Sequence, residues 1–251
     1  MKESANARGE DMITINIQGN NWGTGRRDDI YAVLSSAGAQ IVQYLREDVE
    51  AKIDVGNWER SPEIQRGFDG PTNYNIWLNT KDMRWAQYTY QFSHELCHML
   101  SNYEQRFEKP NQWFEESICE MASFFTLRSM KLAWTVSPPC PEWQSYGESL
   151  LEYEALLLAE VGGKMPNDAT WGEWISEHEN QSRDCPYRRL ENRVIALRIL
   201  PLFEDYPQGW NAIRRLPESE ERLGAFLAQW EDAVDPQDRN FIHRVRVALL
   251  G

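Results

Sequence analysis

Residues 94–98 read His-Glu-Leu-Cys-His. Side chains four apart share one face of a helix, so His94 and His98 project side by side about one turn apart. That spacing lets two imidazole nitrogens hold one metal ion, and zinc suits it. Glu95 stands beside the first histidine. It can reach a metal-bound water, take its proton and pass it to a leaving group. Half of the chain's 4 histidines fall in this pentapeptide. Of the others, His178 sits between Glu177 and Glu179 and reads as a surface residue, and His243 between Ile242 and Arg244 reads as structural.

A catalytic zinc takes three protein ligands and keeps one position for water. Glu104 holds the third place of the longer H-E-x-x-H-x-x-G-x-x-H pattern. Ser101, however, replaces the Gly of its tight turn, so the helix has less reason to stop and Glu104 points elsewhere. Better candidates lie in NQWFEESICEMASFF (111–125). There Glu115, Glu116 and Glu120 interrupt a run of Trp113, Phe114, Ile118, Ala122 and Phe125. Charge among such neighbours is costly unless paired or bound to metal. Glu116 and Glu120 share a helix face, so one can bind zinc while the other accepts a hydrogen bond from a ligand histidine. The plainer alternative is a set of solvated carboxylates favoured by the helix dipole.

HELCH followed by WFEESICE resembles the gluzincin metallopeptidases, in which H-E-x-x-H is followed by a Glu on the next helix. Here 17 residues separate His98 from Glu116, close to the spacing of the aminopeptidase-like branch. The resemblance covers residues 74–125 well and the remainder loosely. It implies His94, His98 and Glu116 as zinc ligands, Glu95 as general base and Glu120 as the carboxylate that steadies a ligand histidine. It also implies a Tyr or His that stabilises the oxyanion. Tyr146 in SYGESLLEY is the expected residue, against the alternative of a loop tyrosine packed on Trp143. Strand 74–80 would resemble the edge strand that pairs with an extended peptide. Two departures stand out: Glu115 where Asn is common, and Ser117 where Gly is common. Cys97 and Cys119, each three residues past a ligand position, read as small buried residues.

The elements that must position these groups can be read from periodicity. Strands are expected over 12–17, 51–55 and 74–80, with Ile76 and Leu78 on one face and Trp77 on the other. Helices are expected over 28–50 and 84–103. Residues 56–72, with three Gly and two Pro, read as loop. After Pro110 the pattern becomes helical: 111–133, 147–162 ended by Gly, 187–204, 207–215, 218–233 and 237–249. Residues 134–146 read as a Pro-rich loop and 163–186 as irregular. The expected fold is α+β. A flexible lead (1–11) precedes a zincin-like part (12–105) with a small mixed sheet and the active-site helix. A helical part (106–251) carries the third ligand, and the two together make one catalytic unit.

Composition narrows the function classes. The 251 residues carry 26 Lys and Arg against 39 Asp and Glu, a formal charge of −13. Nucleic acid and anionic membrane surfaces are poor partners for such a chain. The N-terminal MKESANARGEDM has no apolar run, and no stretch approaches the roughly 18 apolar residues of a transmembrane helix. A cytoplasmic location with reduced cysteines is the expectation. The function expected is a Zn²⁺-dependent peptidase acting on a peptide or protein. The alternatives are a catalytically inactive gluzincin-like binding or regulatory protein, and a zinc hydrolase of a non-peptide amide.

Overall fold

The computed structural model describes residues 13–68, 70–101 and 111–251. Its fold is α+β, with many helices and one small mixed sheet. The expected lead over 1–11 and the alternative ligand Glu104 lie outside the described residues.

Four strands form the sheet: β1 (Ile13–Ile17), β2 (Ala51–Asn57), β3 (Glu63–Arg66) and β4 (Asn73–Leu78), in the order β1-β2-β4-β3. β1 and β2 run parallel, as do β2 and β4, while β3 runs antiparallel to β4. Period-2 alternation sends Ile15, Ile53, Val55, Ile64, Ile76 and Leu78 to the buried face. Across the other face, register aligns Asn16, Asp54, Asn75 and Gln65, and Asn16 Nδ2 donates to Asp54 Oδ1 at 3.0 Å.

Two expectations about the sheet are corrected. Residues 56–72 are not all loop, because β3 lies inside them. Its EIQR has a single inward apolar residue, Ile64, too little for alternation to register. With β3 in place, β4 lies between β2 and β3 and is not an edge. A peptide therefore cannot add to β4 as the resemblance implied.

The helices are α1 (Arg27–Val42), α2 (Trp85–Leu100), α3 (Gln112–Val136), α4 (Gly147–Val161), α5 (Asp168–Asp184), α6 (Arg189–Asp205), α7 (Leu223–Ala233) and α8 (Arg239–Leu250). Short 3₁₀ segments occupy Pro141–Tyr146, Gly162–Lys164 and Pro207–Arg215. α1 stops well before Glu50. Its bonds tighten there, with Tyr44 N donating to Ile41 O and Leu45 N to Val42 O. α5 falls where irregular chain was expected. Its buried positions are Trp171, Ile175, Glu179 and Ser182, so half of its inner stripe is polar and carries no apolar period. Asn167 caps it, Oδ1 accepting from Thr170 N at 3.0 Å.

By backbone proximity the chain divides into two compact units, Met1–Met99 with Ala122–Ala155, and Leu100–Met121 with Leu156–Gly251. In the first unit α1 packs beside β1, and the core includes Val33, Ile41, Phe92 and Trp134. In the second, α8 packs against α5, α6 and α7 around Trp171, Phe203, Trp230 and Ile242.

One tie between loops of the first unit supports α2 from its N-terminal side. Asp82 Oδ1 accepts from Thr24 N at 2.8 Å and from Thr24 Oγ1 at 2.9 Å. Asp82 N donates to Trp22 O at 2.9 Å. Gly23 has φ +64, and a Cβ there would sit 2.3 Å from Asp82 Oδ1, so only glycine permits the approach. The Thr24 donors hold the Asp82 carboxyl below its ordinary 3.8. A lowered folded-state value means that the ionised contact stabilises the fold above pH 3.8. That contribution is lost as pH falls through the lowered value. Asp82→Asn keeps an acceptor oxygen but no charge. Its melting temperature should lie below that of the wild type at pH 7, and the gap should narrow below pH 3.8. A gap that does not change between pH 7 and pH 3 would remove this account.

Candidate metal centre

α3 explains why carboxylates here are informative. From Trp113 to Leu127 it is buried almost all round, and such a helix is normally apolar throughout. Instead Glu116, Ser117, Glu120, Ser123 and Thr126 are buried on it. Ser117 Oγ donates to Trp113 O at 2.8 Å and Ser123 Oγ to Tyr90 O at 2.9 Å, so these two hydroxyls are satisfied. The carboxylates need cations.

Glu120 has one. Arg193 Nε on α6 donates to Glu120 Oε1 at 2.7 Å, and the Arg193 side chain has no exposure at all. Arg193 Nη1 also donates to Leu157 O at 2.9 Å and to Glu160 Oε2 at 2.7 Å. The carboxylate expected to steady a ligand histidine is thus held by a buried arginine. Nothing in the pattern around Arg193 marked it beforehand, because RLENRVIALRIL reads as an ordinary amphipathic helix.

Glu116, one turn earlier, meets the two histidines. Ligand atoms of His94, His98 and Glu116 all lie within 4.8 Å of one another. The imidazole rings are 5.0 Å apart at their centroids and inclined by 70°. His98 is buried, His94 half-buried and Glu116 9% exposed. A tetrahedral zinc with bonds of about 2.0–2.2 Å holds its ligand atoms roughly 3.3–3.6 Å apart, so this set needs only small side-chain rotations to close on an ion. The donors fit: two imidazoles and one carboxylate are a catalytic zinc set. Glu95, 5% exposed, sits beside His94 on the same helix.

Both helices are fixed near their functional residues. On α2, Gln91 lies three residues before His94. Its Nε2 donates to Asn79 O at 3.1 Å and its Oε1 accepts from Asn79 N at 2.9 Å, so one carboxamide holds the end of β4. α3 begins at a clamp. Asn111 Nδ2 donates to Ser219 O and to Glu221 O, both at 2.9 Å, and Asn111 O accepts from Phe114 N at 3.0 Å. Arg183 Nη1 adds a bond to Glu221 O at 2.9 Å. Gln91 and Asn111 carried no signal in the sequence, since single amides follow no period.

Tyr146 is not placed with the metal ligands. Its hydroxyl accepts from Ala86 N at 3.4 Å and donates to Met83 O at 3.5 Å. Ala86 precedes His94 by eight residues, about 12 Å of helix rise. Burial pushes the phenol above its ordinary value. Tyr146 therefore caps the first turn of α2, with its ring 6.2 Å from Trp134, which stacks on Trp143. The contacts of its hydroxyl are those of a residue that holds the helix. Cys97 and Cys119 are fully buried and not disulfide-bonded, as expected of small core residues.

No family model, no curated protein and no solved structure matches this chain. The candidate metal site therefore rests on the residues His94, His98 and Glu116 themselves.

Two substitutions check these assignments. Arg193→Met strands a buried Glu120 and should destabilise the fold by about 3–5 kcal/mol in denaturant titration. Tyr146→Phe leaves one amide of α2 unsatisfied and should cost about 1 kcal/mol, with zinc affinity unchanged. An affinity that falls with Tyr146→Phe would place the hydroxyl at the metal after all.

Proposed function

We propose that the chain is a metal-dependent hydrolase and, within that class, a zinc peptidase. One observation carries the reading: His94, His98 and Glu116, from two successive helices, bring their ligand atoms within 4.8 Å of one another. Two features support it. Glu95, the residue the chemistry needs as a base, is intact and buried at the same helix turn. The resemblance of HELCH and WFEESICE to the gluzincins points to the same three ligands.

His94, His98 and Glu116 would hold the ion, which when bound supplies a Lewis acid for the scissile carbonyl and an acidified water. The chain's own residues do the rest. Glu95 takes the proton of the attacking water and returns it to the departing amine, so the side chain ends as it began. Its surroundings are dry, which strengthens its electrostatic hold on a proton in flight. Arg193 balances the charge of Glu120 one turn along α3, which leaves Glu116 as the carboxylate available to the ion. Gln91 and Asn111 keep the two helices where the ligands meet.

Metal analysis and turnover of a peptide library test the reading together. Wild type should bind one zinc and cleave in a chelator-sensitive way. Glu95→Gln should keep its zinc and lose roughly 10²–10⁴-fold in kcat. His98→Ala should lose the zinc. If Glu95→Gln hydrolyses at the wild-type rate, the proposed base is wrong. A wild type that binds zinc but cleaves no peptide is a binding protein or acts on another amide.

A further inference from the structure

Ser101 and Glu115 are the two residues that depart from expectation beside the ligands. Ser101 stands where a tight turn would use Gly, and Glu115 stands where Asn is common before the third ligand. In the structure they meet: Ser101 Oγ donates to Glu115 Oε1 at 3.0 Å. Ser101 is buried and follows α2 directly, three residues after His98. Glu115 lies in the first turn of α3, next to Glu116. Adjacent residues on a helix point about 100° apart, so Glu115 can grip Ser101 while Glu116 turns to the histidines.

We propose that the Ser101–Glu115 hydrogen bond is a positioning device for the metal centre, setting the rotation and height of the first turn of α3 so that Glu116 completes the ligand set. This rests on reading His94, His98 and Glu116 as a metal site. The physical argument is one of constraint. Asn111 fixes where α3 begins, through its bonds to Ser219 O and Glu221 O. Packing around the buried helix resists large rotation, yet the Asn111 anchor alone still permits a small turn of its first residues about the axis. A second anchor at Glu115, one residue before the ligand and on another face, removes that rotation. A hydroxyl donating to a carboxylate is among the stronger neutral-to-charged bonds, and here its Ser101 end is buried while Glu115 is half-buried. The device would act through Glu116 and touches no substrate.

Cobalt(II) titration of the full chain tests this, because the intensity of the cobalt d–d bands reports the ligand set as well as the affinity. The variants are Ser101→Ala, Glu115→Ala, the double Ser101→Ala/Glu115→Ala, and Glu115→Gln, which keeps an acceptor oxygen. Each is also melted without metal. Either single Ala should weaken Co²⁺ binding about tenfold and weaken the tetrahedral bands. The double should lose less than the sum of the two singles, since the bond between them is counted in both. Glu115→Gln should stay within about threefold of wild type. The proposal falls if the Ala variants bind Co²⁺ with wild-type affinity and spectrum, even when their metal-free melting temperatures drop. It also falls if Glu115→Gln loses as much as Glu115→Ala, or if the two single losses add. A wild type that binds no Co²⁺ would instead remove the metal centre itself, an outcome distinct from the other three.

Discussion

A carboxylate inside a packed helix must find a positive charge, and most of what is distinctive in this molecule follows from that constraint on α3. Desolvating an ionised carboxylate costs several kcal/mol even after relaxation. Two such groups, Glu116 and Glu120, occupy one buried face of a helix whose other inward residues are apolar or small hydroxyls. Their environments resolve the cost differently. Glu120 meets a permanent cation, since Arg193 stays charged at any physiological pH and is shared with Glu160 and a backbone carbonyl. Glu116 meets two imidazoles, which are good metal ligands. On the proposed reading, a divalent ion would offset the cost of that second arrangement.

The supporting structure makes sense in the same terms. A three-ligand site drawn from two helices tolerates little drift, because a displacement of about an ångström removes a ligand from bonding distance. The helices are accordingly held by bonds to backbone as well as by apolar packing. Tyr146 caps one end of α2, Gln91 grips Asn79 just past the end of β4, and Asn111 holds the start of α3. Apolar packing permits small sliding at little cost, whereas these polar contacts are directional and fix register. The corrected place of β4 fits this picture. An inner strand, paired on both sides, is a stiffer base for Gln91 than an edge would be.

How far the sequence spoke depends on whether a residue's role has a period or a partner. His94, His98 and Glu95 were legible because their spacing is the chemistry. Glu116 and Glu120 were legible as a pair, because charge in an apolar run is conspicuous. The sequence could not say which of them binds metal until a resemblance was added. β1, β2 and β4 followed from alternation and α3 from its long apolar run. β3 and α5 did not, since one has a single inward apolar residue and the other buries Glu179 and Ser182 on its inner stripe. Tyr146 was assigned by position in a loop, and loops carry no rule that predicts which distant amide a phenol will cap. Arg193, Gln91 and Asn111 act through partners 73, 12 and 108 residues away, and no local pattern encodes such pairings.

The separation of roles between the two carboxylates also sets the charge at the site. Arg193 offsets the buried charge of Glu120, and the second carboxylate it meets, Glu160, is more than half exposed and screened by water. The ligand set then contributes a single negative charge, from Glu116. A divalent ion held there would keep a net charge of about +1, and the neighbouring Glu95 would bring the local sum close to zero only while ionised. If Glu95 served as the base, its proton would come from the attacking water, so negative charge would pass from Glu95 to the oxygens at the ion, where a positive centre stabilises it, with the local sum unchanged. Were Glu120 unpaired, the sum would be one unit more negative throughout. The buried arginine would therefore serve the chemistry by silencing a neighbour, at a position that never needs to approach a substrate.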